Sequence, residues 1–285
     1  MTKAVFALIA LVALAVPAAV ATPAGARDSL TGNPMADARI RAHGILLPGS
    51  EAWQNARRKA LEKRYPAPPE RRAEIPQPQR SQPLYLKLTR GNPTVRTVAL
   101  TFDDGPHPEF TPDLLAVLDR YNVKATFFVV GKMAERYPDL VRREVAAGHE
   151  IGNHTYHHVN VARLTEADAA AEWRAGEAAI MAITGERVKY CRPPGGRYDR
   201  AAVVAASGVG LTTVLWTDNS ADYLGLSPRR IEQRVLSRIS NGGIILMHDG
   251  VRQTIEVLPE IIEKLRGKGY RLVTVSELER QRRAR

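Results

Sequence analysis

From residue 84 onward, short apolar runs rich in β-branched residues alternate with amphipathic segments of helical period, and this alternation constrains the fold most strongly. The apolar runs span residues 97–102, 125–130, 150–153, 188–191, 212–216, 243–247 and 271–275. Helix start signals separate several of them, namely Thr111 before Pro112, Thr165 before Glu166 and Ser227 before Pro228. Strands that alternate with helices predict an α/β fold with a parallel sheet, either open or closed into a barrel.

The N-terminal 83 residues have a different character. Lys3, the apolar run 4–16 and the small residues before Thr22 are typical of a cleavable secretory signal peptide over residues 1–21. An uncleaved membrane anchor is the alternative interpretation. Residues 22–83 are basic and Pro-rich, with one short helix expected over residues 51–65 and an extended spacer after it. We therefore expect a third segment, 84–285, to be the catalytic domain of a secreted, periplasmic or wall-associated protein.

The positive charge of the chain is concentrated at its ends. The net charge is +11, and residues 22–83 contain 11 basic and 6 acidic residues, whereas residues 84–279 are nearly balanced. Nucleic-acid binding calls for a basic stripe interleaved with aromatic residues on a folded domain, and aromatic residues make up only 6%. We therefore expect no nucleic-acid partner. We also expect the protein to be a monomer. The basic ends fit an anionic wall or membrane surface, or a solvated tail without a specific role.

Polar clusters follow five of the predicted strands, at the edge of a parallel sheet where such folds place their chemistry. They lie at residues 101–107, 152–158, 192–197, 216–223 and 247–250. The single cysteine, Cys191, excludes an intramolecular disulfide and a Cys-rich zinc module. Five such clusters on five strand ends are much less expected by chance than any one of them, so we interpret them as one site.

The residue types in these clusters favour metal-assisted acid–base chemistry. Asp103 and Asp104 are adjacent carboxylates after a strand, and their repulsion predicts a cation or a shared proton nearby. His154 and His158 are spaced like the zinc-binding histidine pairs that share one face of a helical turn. His248 ends an apolar strand and is a candidate general acid.

In order and spacing, these clusters resemble the five motifs of the polysaccharide deacetylases with a NodB-homology domain, carbohydrate esterase family four. Residues 101–106 resemble its Thr-Phe-Asp-Asp-Gly-Pro motif, and residues 154–158 its His-(Ser/Thr)-x-x-His motif. Residues 192–194 resemble Arg-x-Pro, residues 222–223 the Asp-Trp pair, and residues 246–248 Leu-x-His. The resemblance covers roughly residues 90–278. It implies a distorted (β/α) barrel of about seven parallel strands, the NodB-type deacetylase barrel.

The resemblance also implies a role for each motif residue. The implied metal ligands, for a divalent ion that is usually zinc, are Asp104, His154 and His158. The implied catalytic residues are Asp103 as general base, Arg192 as its partner, His248 as general acid and Asp222 as the residue that tunes it. The implied substrate-binding residues are Pro194, Gly195, Trp216 and Tyr223. Gly195 stands where many members carry a side chain and Tyr223 where they carry Trp, which bears on substrate preference.

We therefore expect a secreted metal-dependent N-deacetylase that acts on an N-acetylated glycan. Peptidoglycan is the preferred candidate substrate, and a chitin-like polymer is the next. An exopolysaccharide or an acetylated xylan is the alternative substrate. Two histidines and one carboxylate also describe non-haem iron oxygenases, which would need oxygen and a 2-oxoacid. A non-catalytic glycan-binding module would bind glycans and release no acetate.

Overall fold

The computed structural model describes residues 87–283, so the predicted signal peptide (1–21) and the basic, Pro-rich segment (22–83) lie outside the described residues. Its strands are β1 (Lys87–Leu88), β2 (Thr97–Asp103), β3 (Thr126–Val129), β4 (Glu150–Asn153), β5 (Tyr190–Cys191), β6 (Thr212–Val214), β7 (Asp218–Asn219), β8 (Gly243–His248) and β9 (Arg271–Val273). Its helices are α1 (Phe110–Arg120), α2 (Gly131–Arg136), α3 (Pro138–Ala146), α4 (Glu166–Thr184), α5 (Arg200–Gly208), α6 (Pro228–Arg238), α7 (Arg252–Gly267) and α8 (Val275–Arg283).

All described strands belong to one sheet, and every strand pair in it is parallel. The strand order is β1-β6-β5-β4-β3-β2-β8-β7, and β9 pairs with β2 beside this path. The predicted α/β fold with a distorted parallel barrel is confirmed, with an opening between β1 and β7. In the β2/β8 pair, Asp103 is opposite His248, so the sheet places two of the predicted catalytic residues side by side.

The predicted strands are all present, and two more were not predicted. β1 and β7 have two residues each, too few to give a recognisable alternation. Among the helix starts, Thr165 is confirmed as the N-cap of α4, since its hydroxyl accepts the backbone N–H of Asp168. The prediction for Thr111 was wrong: α1 begins one residue earlier, at Phe110, and the Thr111 hydroxyl is engaged elsewhere.

The central strand β2 is enclosed by the hydrophobic core. Every residue of β2 is buried, as expected for a central parallel strand covered on both faces. The Phe102 ring packs on the Phe127 ring of β3 at 5.3 Å between centroids.

Cys191 is a free, buried thiol, and burial raises its pKa to about 12 against a weaker opposing effect of Thr213. Within residues 87–283, no helix combines the length and apolar character needed to cross a bilayer.

Candidate active site

The adjacent carboxylates Asp103 and Asp104 both reach the same point at the end of β2. Successive strand residues normally face opposite sides of a sheet, but Asp104 leaves the strand in the left-handed conformation, with φ of 78°. The Nε2 atom of His154 lies 3.8 Å from Asp103 Oδ2 and 3.4 Å from Asp104 Oδ1. A backbone turn directly after the strand therefore delivers both carboxylates to one site.

The histidine pair is brought together by a loop rather than by a helical turn, so the helical interpretation of its spacing was wrong. Residues 154–160 after β4 are not helical, and Thr155 and His158 adopt left-handed φ values of 64° and 58°. These two residues curl the chain so that the rings of His154 and His158 lie 5.1 Å apart. The Nε2 atom of His158 lies 2.8 Å from Asp104 Oδ1.

These three residues fit a divalent metal ion. One potential ligand atom each from Asp104, His154 and His158 lies within 4.8 Å of the others, the one such cluster found among residues 87–283. In a tetrahedral site with bonds of about 2.1 Å, ligand atoms are about 3.4 Å apart. The Nδ1–H of His154 donates to the carbonyl oxygen of Arg192 at 2.7 Å, which leaves the lone pair on Nε2 for a metal. Two imidazoles and one carboxylate match the ligands of catalytic zinc sites with open positions.

Arg192 fixes the orientation of Asp103. This fully buried guanidinium donates to Asp103 Oδ1 at 2.7 Å and to the Thr101 hydroxyl at 2.8 Å, and it lies 4.1 Å from the centroid of the Phe128 ring. Thr101 in turn donates to the Ile245 carbonyl at 2.7 Å. Burial lowers the pKa of Arg192, and the charge of Asp103 opposes this effect. Asp103 Oδ2 is thereby left facing His154.

The partly buried His248 and the buried Asp222 form a second pair beside the first. His248 Nδ1 lies 2.7 Å from Asp222 Oδ1, and the backbone N–H of His248 donates to Asp222 Oδ2 at 2.7 Å. The Thr254 hydroxyl also donates to Oδ2, at 2.6 Å. Burial lowers the pKa of His248, but the charge and hydrogen bond of Asp222, with smaller effects of Asp104 and Asp103, raise it to about 9 overall. His248 is thus held in the protonated form with a defined ring orientation.

Of the predicted substrate-binding residues, Trp216 and Tyr223 lie beside these two pairs, and Pro194 and Gly195 follow Arg192 closely along the chain. Pro194 and Gly195 belong to a 3-10 turn after β5, in which Gly195 has a φ of 64°. Trp216 packs on the neighbouring Gly196 so closely that a Cβ there would lie 2.3 Å from the indole, and its ring lies 5.7 Å from the Arg192 guanidinium. The Tyr223 ring meets the His248 ring edge-on at 5.1 Å. The two aromatic side chains therefore adjoin the arginine and the histidine, respectively.

Several residues that support the site were not predicted from the sequence. Thr101 lies within a recognised motif but was given no role, and Thr254 lies in α7 with no motif to mark it. Asp249 lies within the polar cluster at residues 247–250 but was given no role, although it is 3% exposed and burial raises its pKa to about 7. Each of these side chains bonds to a residue far away in the sequence, so local patterns give no signal for them.

Comparisons with known proteins agree with this geometry. Residues 90–214 match the model of the polysaccharide deacetylase family. A peptidoglycan-N-acetylglucosamine deacetylase of Bacillus cereus is 36% identical over 188 residues, which cover 64% of this chain and 88% of that protein. A crystal structure of a peptidoglycan N-acetylglucosamine deacetylase with a bound hydroxamate-type ligand superposes with a TM-score of 0.66 at 35% identity, covering 69% of this chain and 94% of the other.

A pseudoenzyme of carbohydrate esterase family 4 from Bacillus anthracis is structurally just as similar. It has a TM-score of 0.66 at 31% identity and covers 70% of this chain and 69% of its own. Overall fold similarity therefore does not separate active from inactive relatives, and the site residues must do so. By its sequence match and its shared fold, the chain belongs to the polysaccharide deacetylase family, carbohydrate esterase family 4, a family of hydrolytic enzymes.

Proposed function

We propose that this protein is a secreted, metal-dependent hydrolase that removes N-acetyl groups from a glycan. Peptidoglycan is the substrate that we propose. One observation carries the proposal: the cluster of Asp104, His154 and His158 adjoins a carboxylate held by a buried arginine, and a histidine held by a buried aspartate. Amide hydrolysis needs a base for the attacking water and an acid for the leaving amine, and this arrangement supplies both.

The chain's own residues divide the reaction between them. A divalent ion held by Asp104, His154 and His158 would polarise the acetamide carbonyl and lower the pKa of a water molecule. Arg192 fixes one oxygen of Asp103. Asp103 takes a proton from the water molecule as the water oxygen attacks the carbonyl carbon. His248 gives its proton to the amide nitrogen as the C–N bond breaks, which releases acetate and a free amine. Asp222 stabilises the imidazolium before that transfer.

Two features support peptidoglycan over other glycans. Two of the similar proteins described above are named for deacetylation of this polymer. The predicted export signal and the basic residues 22–83 would bring the chain to an anionic wall. Zinc is the proposed ion because two imidazoles and one carboxylate are ligands typical of catalytic zinc.

A non-catalytic glycan-binding role is the second candidate, because a pseudoenzyme shares the fold at a similar level of identity. The presence of Asp103, Asp104, Arg192 and His248 together, in contact geometry, favours catalysis over binding alone. This role would require glycan affinity with no release of acetate.

Acetate release from a panel of glycans tests the proposal. The zinc-loaded protein would be incubated with purified peptidoglycan, N-acetylglucosamine oligomers and O-acetylated xylan, and free acetate and free amine would be measured together. We expect equal amounts of acetate and amine from peptidoglycan. Release of acetate without amine, and only from xylan, would show that the protein hydrolyses esters and not N-acetyl groups. Glycan binding without either product would favour the second candidate.

A further inference from the structure

Asp249 lies one residue beyond the acid-bearing strand, and its carboxyl group is buried against the turn that carries the metal ligand Asp104. Its backbone N–H donates to the carbonyl oxygen of Asp103 at 2.8 Å, which continues the β2/β8 pairing by one residue. Its Oδ2 atom accepts the hydroxyl of Thr111. Its Oδ1 atom has no hydrogen-bond partner among the described residues.

The Asp249 carboxyl occupies the space that a side chain at residue 105 would fill. A Cβ built on Gly105 would lie 2.5 Å from Asp249 Oδ2, so the carboxyl packs directly on the Gly105 backbone. The same Thr111 hydroxyl that donates to Asp249 accepts the backbone N–H of His107 at 2.6 Å. The carbonyl of Gly105 accepts the N–H of Val130 at 2.9 Å. The turn at residues 105–107 is therefore held from three directions.

This turn needs external support because Asp104, directly before it, is left-handed. A left-handed conformation is uncommon for a residue with a side chain, although Asp tolerates it better than most, and it persists where surrounding contacts favour it. The carboxyl oxygen of Asp104 faces both histidine Nε2 atoms only in this conformation, because a continued strand would point the side chain to the opposite face.

We propose that Asp249 and Thr111 are positioning residues that set the metal affinity of the site by holding Asp104 in its left-handed conformation. The inference rests on the proposed function in so far as Asp104 is a metal ligand. Asp249 acts through its shape and its acceptor oxygen, not through its charge. When a residue that orients a metal ligand without contacting the metal is replaced, metal affinity typically falls by about 10- to 100-fold.

Conservative variants separate this role from a charge effect. Asp249→Asn keeps the acceptor oxygen and the volume that packs on Gly105 but removes the charge, whereas Asp249→Ala removes all three. Thr111→Ser keeps the hydroxyl that links His107 to Asp249, and Thr111→Val removes it with little change in shape. Thr184→Val is a matched control, because that hydroxyl bonds within its own helix end, to the Ile180 and Glu186 carbonyls.

The experiment measures the zinc dissociation constant of the full chain by competition with a chromophoric chelator, together with kcat and KM for acetate release. We expect Asp249→Ala and Thr111→Val to raise the zinc dissociation constant by about tenfold or more. Asp249→Asn, Thr111→Ser and Thr184→Val should stay within about threefold of the parent. At saturating zinc, kcat should recover in both weakened variants with KM unchanged. Thr111→Val keeps the test valid if Asp249→Ala fails to fold.

Two results would overturn the inference alone: parental zinc affinity in Thr111→Val and Asp249→Ala, or an Asp249→Asn variant as weak as Asp249→Ala. A parent protein that binds no divalent ion would instead refute the proposed function, and this inference with it. The parent titration thus distinguishes the two failures.

Discussion

At the scale of single residues, chemically identical groups acquire different roles from their surroundings. Asp103 is fixed by the buried Arg192, whereas Asp104 is turned by its backbone toward His154 and His158. This difference is the basis for the proposed roles of the two neighbours, Asp103 as base and Asp104 as metal ligand. The same principle applies to His248, which Asp222 holds in the charged form, and His154, whose Nδ1 is committed to a carbonyl.

The division between Asp103 and Asp104 predicts different losses on amide substitution. Asp103→Asn should lower kcat by at least about 100-fold, since general base catalysis is removed, and should retain zinc. Asp104→Asn should lose both zinc and turnover, because a neutral amide is a weaker ligand than a carboxylate. Zinc content after gel filtration and acetate release measure the two effects. Equal zinc loss in both variants would contradict the assignment.

The pair of Asp222 and His248 predicts a pH effect. His248 must be protonated to act as the acid, so activity is present below its pKa, about 9, and is lost as pH rises through that value. Asp222→Asn removes the main charge that raises this pKa, so the alkaline limb of the kcat profile should move to lower pH. Asp139→Asn, an exposed carboxylate on α3 paired with Arg142, is the control. A profile for Asp222→Asn that superimposes on the parent profile would contradict this role.

The motifs were sufficient to predict which residues meet at the site, but not how the backbone brings them together. The His154–His158 spacing suggested a helical turn, and the structure has a loop with two left-handed residues instead. Outside glycine, left-handed φ values are uncommon even for Asp and His, which adopt them more often than most residues, so the sequence gives only a weak signal for them. Thr101 and Asp249 were missed because their partners, Arg192 and Thr111, lie about 90 and 140 residues away along the chain.

At the scale of secondary-structure elements, the site depends on β2 and β8 remaining in register, because this pairing aligns Asp103 with His248. The long, buried strands were predictable from their apolar runs, whereas β1 and β7 depend on partners elsewhere in the sheet.

Helix α3 contains a residue that opposes stability: Glu144 is fully buried, and neither carboxyl oxygen has a hydrogen-bond partner among the described residues.

Glu144 predicts a pH-dependent stability defect. Burial, with a smaller effect of Asp249, raises the pKa of Glu144 well above its usual value. Because the folded-state pKa is raised, stability is greatest below the unfolded pKa and falls as pH rises toward the folded one. Glu144→Met should therefore increase the free energy of unfolding by about 1–3 kcal/mol at pH 8 and by less at pH 4. Urea unfolding at both pH values measures this.

Glu256→Met, at an exposed position of α7, is the control and should change stability little at either pH. A Glu144→Met variant that is less stable than the parent at pH 8 would show that the carboxyl contributes a favourable interaction.

At the scale of the whole molecule, the residues of the proposed site lie at the ends of the strands of one parallel sheet or in the loops that follow them, all within residues 87–283. The predicted segment 22–83 supplies none of them. We therefore expect residues 84–285, produced alone, to unfold cooperatively and to release acetate from soluble glycan oligomers at a rate close to that of the chain from Thr22.

The same truncation should weaken retention on an anionic wall. Residues 22–83 carry 11 basic and 6 acidic residues, and attraction of this kind decreases as salt screens it. Sedimentation with purified walls at low and high salt measures retention. Identical retention of both proteins at low salt would contradict a role for the basic segment, and aggregation of the shorter protein would show that this segment supports the fold.

The most direct test of the central claim is a zinc titration of the metal-stripped protein, with acetate release from peptidoglycan as the readout. The account predicts no release without metal, a rise with added zinc, and a plateau at about one equivalent per chain. The Asp104→Asn variant should show no such rise at the same zinc concentrations. Acetate release that continues unchanged in the metal-stripped parent would contradict the account.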